Sequence, residues 1–242
     1  MKKIIVSVFI IVCVTGIVTA QTTKKVLELP EFKGIYVNSN YTVYLKQTNK
    51  QEVTVEALTE IFSVSEIKVE NGILMVNVDR KPDSPNKSIW QKIDDIKLNP
   101  TMKVYVSVKN INDLQVNGNG KIISENSIAA DYINLGVSGG GSMDVDLKGN
   151  TIKAELSGSG LMTVKGYATS IDAVVSGSGT LNGYNCALET AKAKVSGSGL
   201  CQLNVSNNID ALVLGNGQVK HKGNTKSAQK KIYGSGTIDR AY

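Results

Sequence analysis

The chain has 242 residues, 41% of them hydrophobic and 5% aromatic, with a formal charge of +6 that includes Lys2 and Lys3. That length suits one sizeable domain or two small ones, and so mild a cationic surplus calls for no nucleic acid. With only Cys13, Cys186 and Cys201 present, a disulfide-stapled scaffold is excluded, so stability has to come from a packed core.

Residues 1–20 read as a secretory signal: Lys2 and Lys3, an apolar stretch from Ile4 to Val18, then Val18-Thr19-Ala20 as a small-residue cleavage site. The stretch is short for a spanning helix and polar chain follows at once. We therefore expect export to the periplasm, outer surface or medium, with a mature chain starting at Gln21. Cys13 lies mid-stretch, outside the small-residue context of a lipoprotein signal. No later segment is long and apolar enough to cross a membrane as a helix.

Next come short runs that alternate apolar and polar residues, the period of half-buried strands. Ile35, Val37, Val43 and Leu45 lie around Asn38-Ser39-Asn40. Val53 and Val55 follow, and the runs Ile67-Val69 and Leu74-Val78 are joined through Asn71-Gly72, a hairpin turn signal. Val104, Val106 and Val108 make a further strand. Between Pro82 and Pro100, Ile89, Ile93 and Ile96 fit one short amphipathic helix. Trp90, with Lys87 and Lys92 nearby, is a candidate ligand-binding aromatic, although a ring covering an open core edge is the simpler reading.

Composition changes near residue 115: twenty of the 23 glycines follow it, whereas all four prolines precede it. The later glycines fall into seven motifs whose final residues are Gly120, Gly141, Gly160, Gly179, Gly199, Gly217 and Gly236, spaced by 18 to 21 residues. Four residues before that glycine stand Val116, Val137, Leu156, Val175, Val195, Val213 and Ile232; two after it stand Ile122, Met143, Met162, Leu181, Cys201, Val219 and Ile238. Six and eight before it come further apolar columns, such as Ala154 and Ile152. All these offsets are even, so in an extended chain they share one face. Columns repeated in every copy mean that equivalent residues stack rung upon rung in a β-solenoid. About 19 residues at ~3.3 Å each give a contour near 63 Å, enough for two facing runs of ~6 residues with bends and no open channel.

The glycines suit the bends, where positive φ and the absence of a Cβ let stacked turns approach. Ser138, Ser157, Ser176 and Ser196 would then form a polar ladder on the outer surface. In the last rung His221 and Arg240 occupy apolar places and Lys230 replaces Ala211, as befits a terminal cap. The expected organisation is a signal peptide over 1–20, an N-terminal β region with degenerate rungs and an irregular insertion over 21–115, and the repeat solenoid over 116–242.

Taken together, the Asn-Ser-Asn rung, the strand Val104-Tyr105-Val106-Ser107-Val108 leading to Leu114-Gln115-Val116-Asn117-Gly118-Asn119-Gly120, and the serial Gly-Ser-Gly rungs resemble the head GIN domain, or auto-transporter adhesin, family of Bacteroidetes. The resemblance spans about residues 30 to 242. It implies an all-β, right-handed single-stranded parallel β-helix, no established catalytic residues, and adhesion as the suggested activity. The two Asn-centred motifs and the basic last rung depart from the family pattern.

Chemistry has few footholds. Gly136-Val137-Ser138-Gly139-Gly140 matches a nucleophile elbow, but the only histidine, His221, lies far along the repeat and the serine belongs to a column. Asp144 and Asp146 lack the repetition of calcium-binding β-rolls, and seven glycine motifs between strands are scaffold rather than a phosphate loop. We expect no cofactor and no metal. The expected function is that of an exported, non-enzymatic envelope or secreted protein that binds a cell-surface glycan or protein, through a surface including Trp90, Ser157, Ser176, Ser196, Lys220 and Lys222. Two alternatives stand beside it: a polysaccharide-active β-helix enzyme, with the pair Asp94-Asp95 as its candidate acids, and a structural subunit that self-assembles through its open last edge.

Overall fold

Alternating runs of this kind fold as strands that add side by side along a coil. The computed structural model describes residues 22–79 and 101–241, and there the chain is a β-solenoid of about seven turns with a spacing of ~19 residues. The expected leader, the Ile89–Ile96 segment with Trp90, and Asp94-Asp95 lie outside the described residues.

The repeat half consists of long strands: β10 (Ile128–Gly139), β11 (Ser142–Gly158), β12 (Leu161–Gly177), β13 (Thr180–Gly197) and β14 (Leu200–Gly215). They pair in parallel, with register shifts only along the β12–β13 and β13–β14 seams ahead of the column, so that Val137, Leu156, Val175, Val195 and Val213 stack on one another. From β11 to β14, each strand starts just after one Gly-x-Gly bend and runs to the next. A second corner lies inside it: in β11 the buried residues are Met143, Val145 and Leu147, then Ile152, Ala154 and Leu156, so the alternation changes phase between Leu147 and Ile152. The chain turns there without breaking its hydrogen-bonded register with β12. Both flanks of the corner feed one core, and nearly all its members are fully buried.

The first rung is built from β2 (Gly34–Val37) and β3 (Thr42–Gln47), joined by Asn38-Ser39-Asn40. It stacks in parallel on β8 (Asp113–Gly118) and β9 (Lys121–Ser124), joined by Gly118-Asn119-Gly120. The Asn tripeptide is thus the bend of a rung without glycine. Its amides bind the neighbours directly: Asn38 Nδ2 donates to Asn77 Oδ1 at 2.8 Å, and Asn117 Nδ2 donates to Asn38 Oδ1 at 2.7 Å.

Below that rung the pattern changes. β6 (Ile73–Val78) and β7 (Met102–Val108) still run parallel to β2 and β3. Then β5 (Ser65–Glu70) returns antiparallel on β6, while β4 (Glu52–Leu58) and β1 (Thr22–Leu27) continue antiparallel from β7. The β5–β6 hairpin turns at Asn71 and Gly72, with φ of 51° and 75°, the left-handed pair the sequence predicts. Not foreseen was α1 (Thr59–Ser63), a single helical turn that buries Ile61 over this end. At the opposite end β15 (Gln218–Lys222) and β16 (Ser227–Tyr233) form the last full rung described, and β17 (Thr237–Arg240) stacks on β15 as the start of the next. There Ile238 is still buried, but Ala228 and Ile232 in the stacking columns are exposed.

Candidate functional site

Function must be sought on what the stacked core presents outward, and the bends decide which faces those are. In the Gly177-Ser178-Gly179 bend the two glycines have different tasks. Gly177 has φ +108°, a left-handed conformation. Gly179 is buried, and a Cβ there would stand 2.7 Å from Gly160 O of the rung below. The serine between them is exposed and carries neither constraint.

Beside the bend, Ser138, Ser157, Ser176 and Ser196 pair in register and form the expected ladder, with Asn117 preceding it and Leu214 and Tyr233 continuing it. Ser157 and Ser176 are exposed and Ser196 is half-buried. Lys220 and Lys222 lie on β15, which follows its bend, whereas the serines precede theirs. The two sets therefore decorate different sheets and the fold does not gather them into one patch. Lys222 Nζ sits 5.2 Å from the centre of the Tyr184 ring, a cation–π contact. Lys230 Nζ reaches across the open end and donates to Ile238 O at 3.1 Å, and Arg240 Nη2 donates to Gly223 O at 3.0 Å.

Catalytic geometry does not assemble around the elbow-like serine. Ser138 stacks between Asn117 and Ser157, while His221 is buried in the rung between Leu203 and Arg240. Asp144 is held by Lys165 Nζ at 2.8 and 3.0 Å through both carboxylate oxygens. Cys186 and Cys201 are both free and buried. Desolvation raises their thiols to about 11 and about 12, which makes them packing residues rather than nucleophiles.

Three clefts lie along one side, close to the corner opposite the glycine bends. One of about 490 Å³ is lined by Lys33, Gly34, Gln51, Asn71 and Asp113 among others. Another of about 470 Å³ holds Asn110, Asp131, Tyr132 and Lys148. A third of about 480 Å³ runs over Thr151, Ser170, Thr190, Asn208 and Ser227, which are register partners. Where the first cleft ends, Asp113 ties three rungs together: its Oδ2 accepts from Tyr36 OH at 2.8 Å, and its Oδ1 from Gln115 Nε2 at 2.8 Å and Asn134 Nδ2 at 3.1 Å. The hydrogen bond to Asp113, helped by burial, raises the Tyr36 phenol. Inspection of the sequence missed these cleft residues. Their signal was present, because the columns nine and seven before each final glycine are almost uniformly polar.

The family whose model matches residues 31–225 is described as "Putative auto-transporter adhesin, head GIN domain". The chain belongs to this family. Solved structures support the same fold. A "putative adhesin" from Bacteroides fragilis NCTC 9343 is 21% identical with a TM-score of 0.81, covering 92% of this chain and 98% of that one. A "putative lipid binding protein" from Parabacteroides distasonis ATCC 8503 is 19% identical with a TM-score of 0.72, over 91% and 97% of the two chains. A "putative adhesin" from Parabacteroides merdae ATCC 43184 is 19% identical with a TM-score of 0.69, over 92% and 97%. No curated protein matches the chain. Among the described residues of this head GIN domain, no helix is long and apolar enough to cross a membrane.

Proposed function

We propose that this head GIN protein is an exported, non-enzymatic adhesion module of the cell envelope that binds a surface glycan or protein. The observation that carries this reading is the combination of family membership with a rigid stack whose outward columns repeat the same polar groups from rung to rung. Such a surface recognises an extended ligand by repetition, in the way solenoids use their long faces. The leader over residues 1–20 supports export, with the periplasm, outer surface or medium as destination. A non-catalytic role is supported by the separation of Ser138 from His221 and by the pairing of Asp144 with Lys165.

Lipid binding, suggested by the description of one structural neighbour, gains less from this chain. The core columns are filled by side chains, and the clefts are open troughs lined by polar and apolar groups together rather than enclosed apolar cavities. Adhesion is tested by coating beads with the mature protein and scoring their capture by isolated cell envelopes, a glycan array and a panel of cell-surface proteins. Retention on none of these would sink the reading. N-terminal sequencing of the fractionated protein tests export, with Gln21 as the expected first residue.

A further inference from the structure

The three clefts join into one groove. The first and the one at Tyr132 share Lys33, Asn110 and Asn112. The latter meets the third where Tyr132 stands beside Thr151, its register partner. The groove crosses nine strands, from Ile73 on β6 to Gln229 on β16, which at about 4.8 Å per strand is roughly 38 Å.

Its charge differs from that of the chain as a whole. Against a formal charge of +6 for the chain, the groove carries five carboxylates, Glu31, Asp113, Asp131, Asp172 and Asp210, and four lysines, Lys33, Lys109, Lys148 and Lys192. Along one ladder the signs alternate in register as Lys153, Asp172, Lys192 and Asp210. A polyanion lying there would meet a carboxylate at every second rung. Next to it runs the ladder of Thr151, Ser170, Thr190, Asn208 and Ser227, whose side chains both donate and accept hydrogen bonds. Ile171, Ala191 and Ile209, which alternate with the two ladders, turn inward and are buried in the core beneath them. At the head of the hydroxyl ladder stands Tyr132, 50% exposed. An extended peptide cannot add as a strand within the groove, because every strand from β2 to β14 along it is already paired on both sides.

We propose that this groove is the binding face for a neutral linear polysaccharide, with Tyr132 as its stacking platform and the Thr151–Ser227 ladder as its hydrogen-bonding track. The proposal rests on the adhesion reading and names its ligand class. Sugar rings linked in an extended chain advance by about the spacing of the rungs, so successive rings meet equivalent side chains. The apolar C–H face of a pyranose ring suits the face of a phenol, and its hydroxyls need partners that both give and take protons.

Affinity electrophoresis of the mature protein through gels holding a soluble neutral glucan, mannan or xylan, with polygalacturonate as the charged comparison, tests this. Retardation by at least one neutral polymer is expected, with affinity changing less than about twofold between low and high salt because no net charge is exchanged. Tyr132→Ala is expected to weaken binding about tenfold while Tyr132→Phe retains it; Thr190→Lys, which fills the track, should weaken it as well. The double change Lys220→Ala, Lys222→Ala on the other sheet should leave it unaltered, and circular dichroism melts confirm that each variant is folded. Neutral binding untouched by Tyr132→Ala and Thr190→Lys overturns the groove. Retardation by polygalacturonate alone, lost in the double lysine variant, overturns the ligand class and leaves adhesion standing. Retardation by none of the polymers also overturns the proposal, while bead capture reports separately on whether adhesion falls with it.

Discussion

His221 Nδ1 lies 3.3 Å from Thr225 Oγ1, and that hydroxyl already donates to Val205 O at 2.9 Å. The hydroxyl proton is committed to the carbonyl, so the ring must donate from Nδ1. Nε2 is left as a bare lone pair, buried and without a partner. Desolvation first, then the charges of Lys230 and Arg240, lower the imidazole below its ordinary 6.5. The ring is therefore neutral at pH 7, packed between Leu203 below and Arg240 above.

A depressed histidine means that the unfolded chain takes up the proton more readily than the folded one. The stability that His221 contributes is complete above about pH 6.5 and is lost as pH falls below it. Thermal melts between pH 7.5 and 5.5 should show lower stability on the acid side, and His221→Leu, which extends the Leu203 column, should flatten that slope. As the chain's only histidine, it can also be titrated directly by proton NMR; a midpoint above 6.5 in the folded protein would contradict this account.

Two glycines of one column allow backbone strain to be separated from steric obstruction. Gly118 has φ +104° but open space around a would-be Cβ, whereas at Gly177, φ +108°, a Cβ would lie 2.6 Å from Gly158 O. Gly118→Ala should destabilise by about 1 kcal/mol, the left-handed strain alone. Gly177→Ala should exceed that, and Gly177→Val more so, since the obstructing atom is backbone and cannot swing aside. Urea unfolding of the variants decides it, and equal losses at both sites would remove the steric half of the argument.

The repeat core was legible because a stack places equivalent residues in the same surroundings at every rung. Val137, Leu156 and Val175 announce their column without any structure, and Asn38-Ser39-Asn40 could be aligned with the glycine bends before its amide ladder was seen. The second corner was not legible. Lys148-Gly149-Asn150 and Tyr167-Ala168-Thr169 share no signature, since the chain turns there while keeping its register and the glycines that ease the turn, Gly149 and Gly166, fall at different register positions. α1 is a single turn anchored by Ile61, too short to produce a helical period. As for the candidate surface, Ser157 and Lys220 are both exposed by type, but only the fold reveals that they face away on different sheets. Tyr132 belongs to an outward column that composition alone cannot distinguish from any solvated face.

The last rung guards its own edge. Among the described residues only one side of β16 is paired, with β14, and its inward position is filled by Lys230, whose ammonium covers the exposed core end by donating to Ile238 O. Inward charge is a known defence against edge-to-edge pairing. Lys230→Ile should restore the apolar column and promote association through β16. Light scattering across a concentration series should show growth for that variant and none for the wild type. Growth of both would assign the edge to assembly instead.

Burial protects the thiols to the same effect. With both groups raised by desolvation to about 11 and about 12, Cys186 and Cys201 should resist a thiol reagent in the folded protein and both react in denaturant. Rapid labelling of Cys201 under native conditions would show that the stack opens locally.

Because every rung rests only on the rung before and the rung after, the length of this molecule is an adjustable quantity rather than a fixed property of its fold. Excising residues 161–179, one whole turn from Leu161 to Gly179, would bring Leu156 and its column onto Val195, leave each corner intact and shorten the outer face by a single step. Such a chain works as a ruler, and its graduations could be added or removed without redrawing the scale.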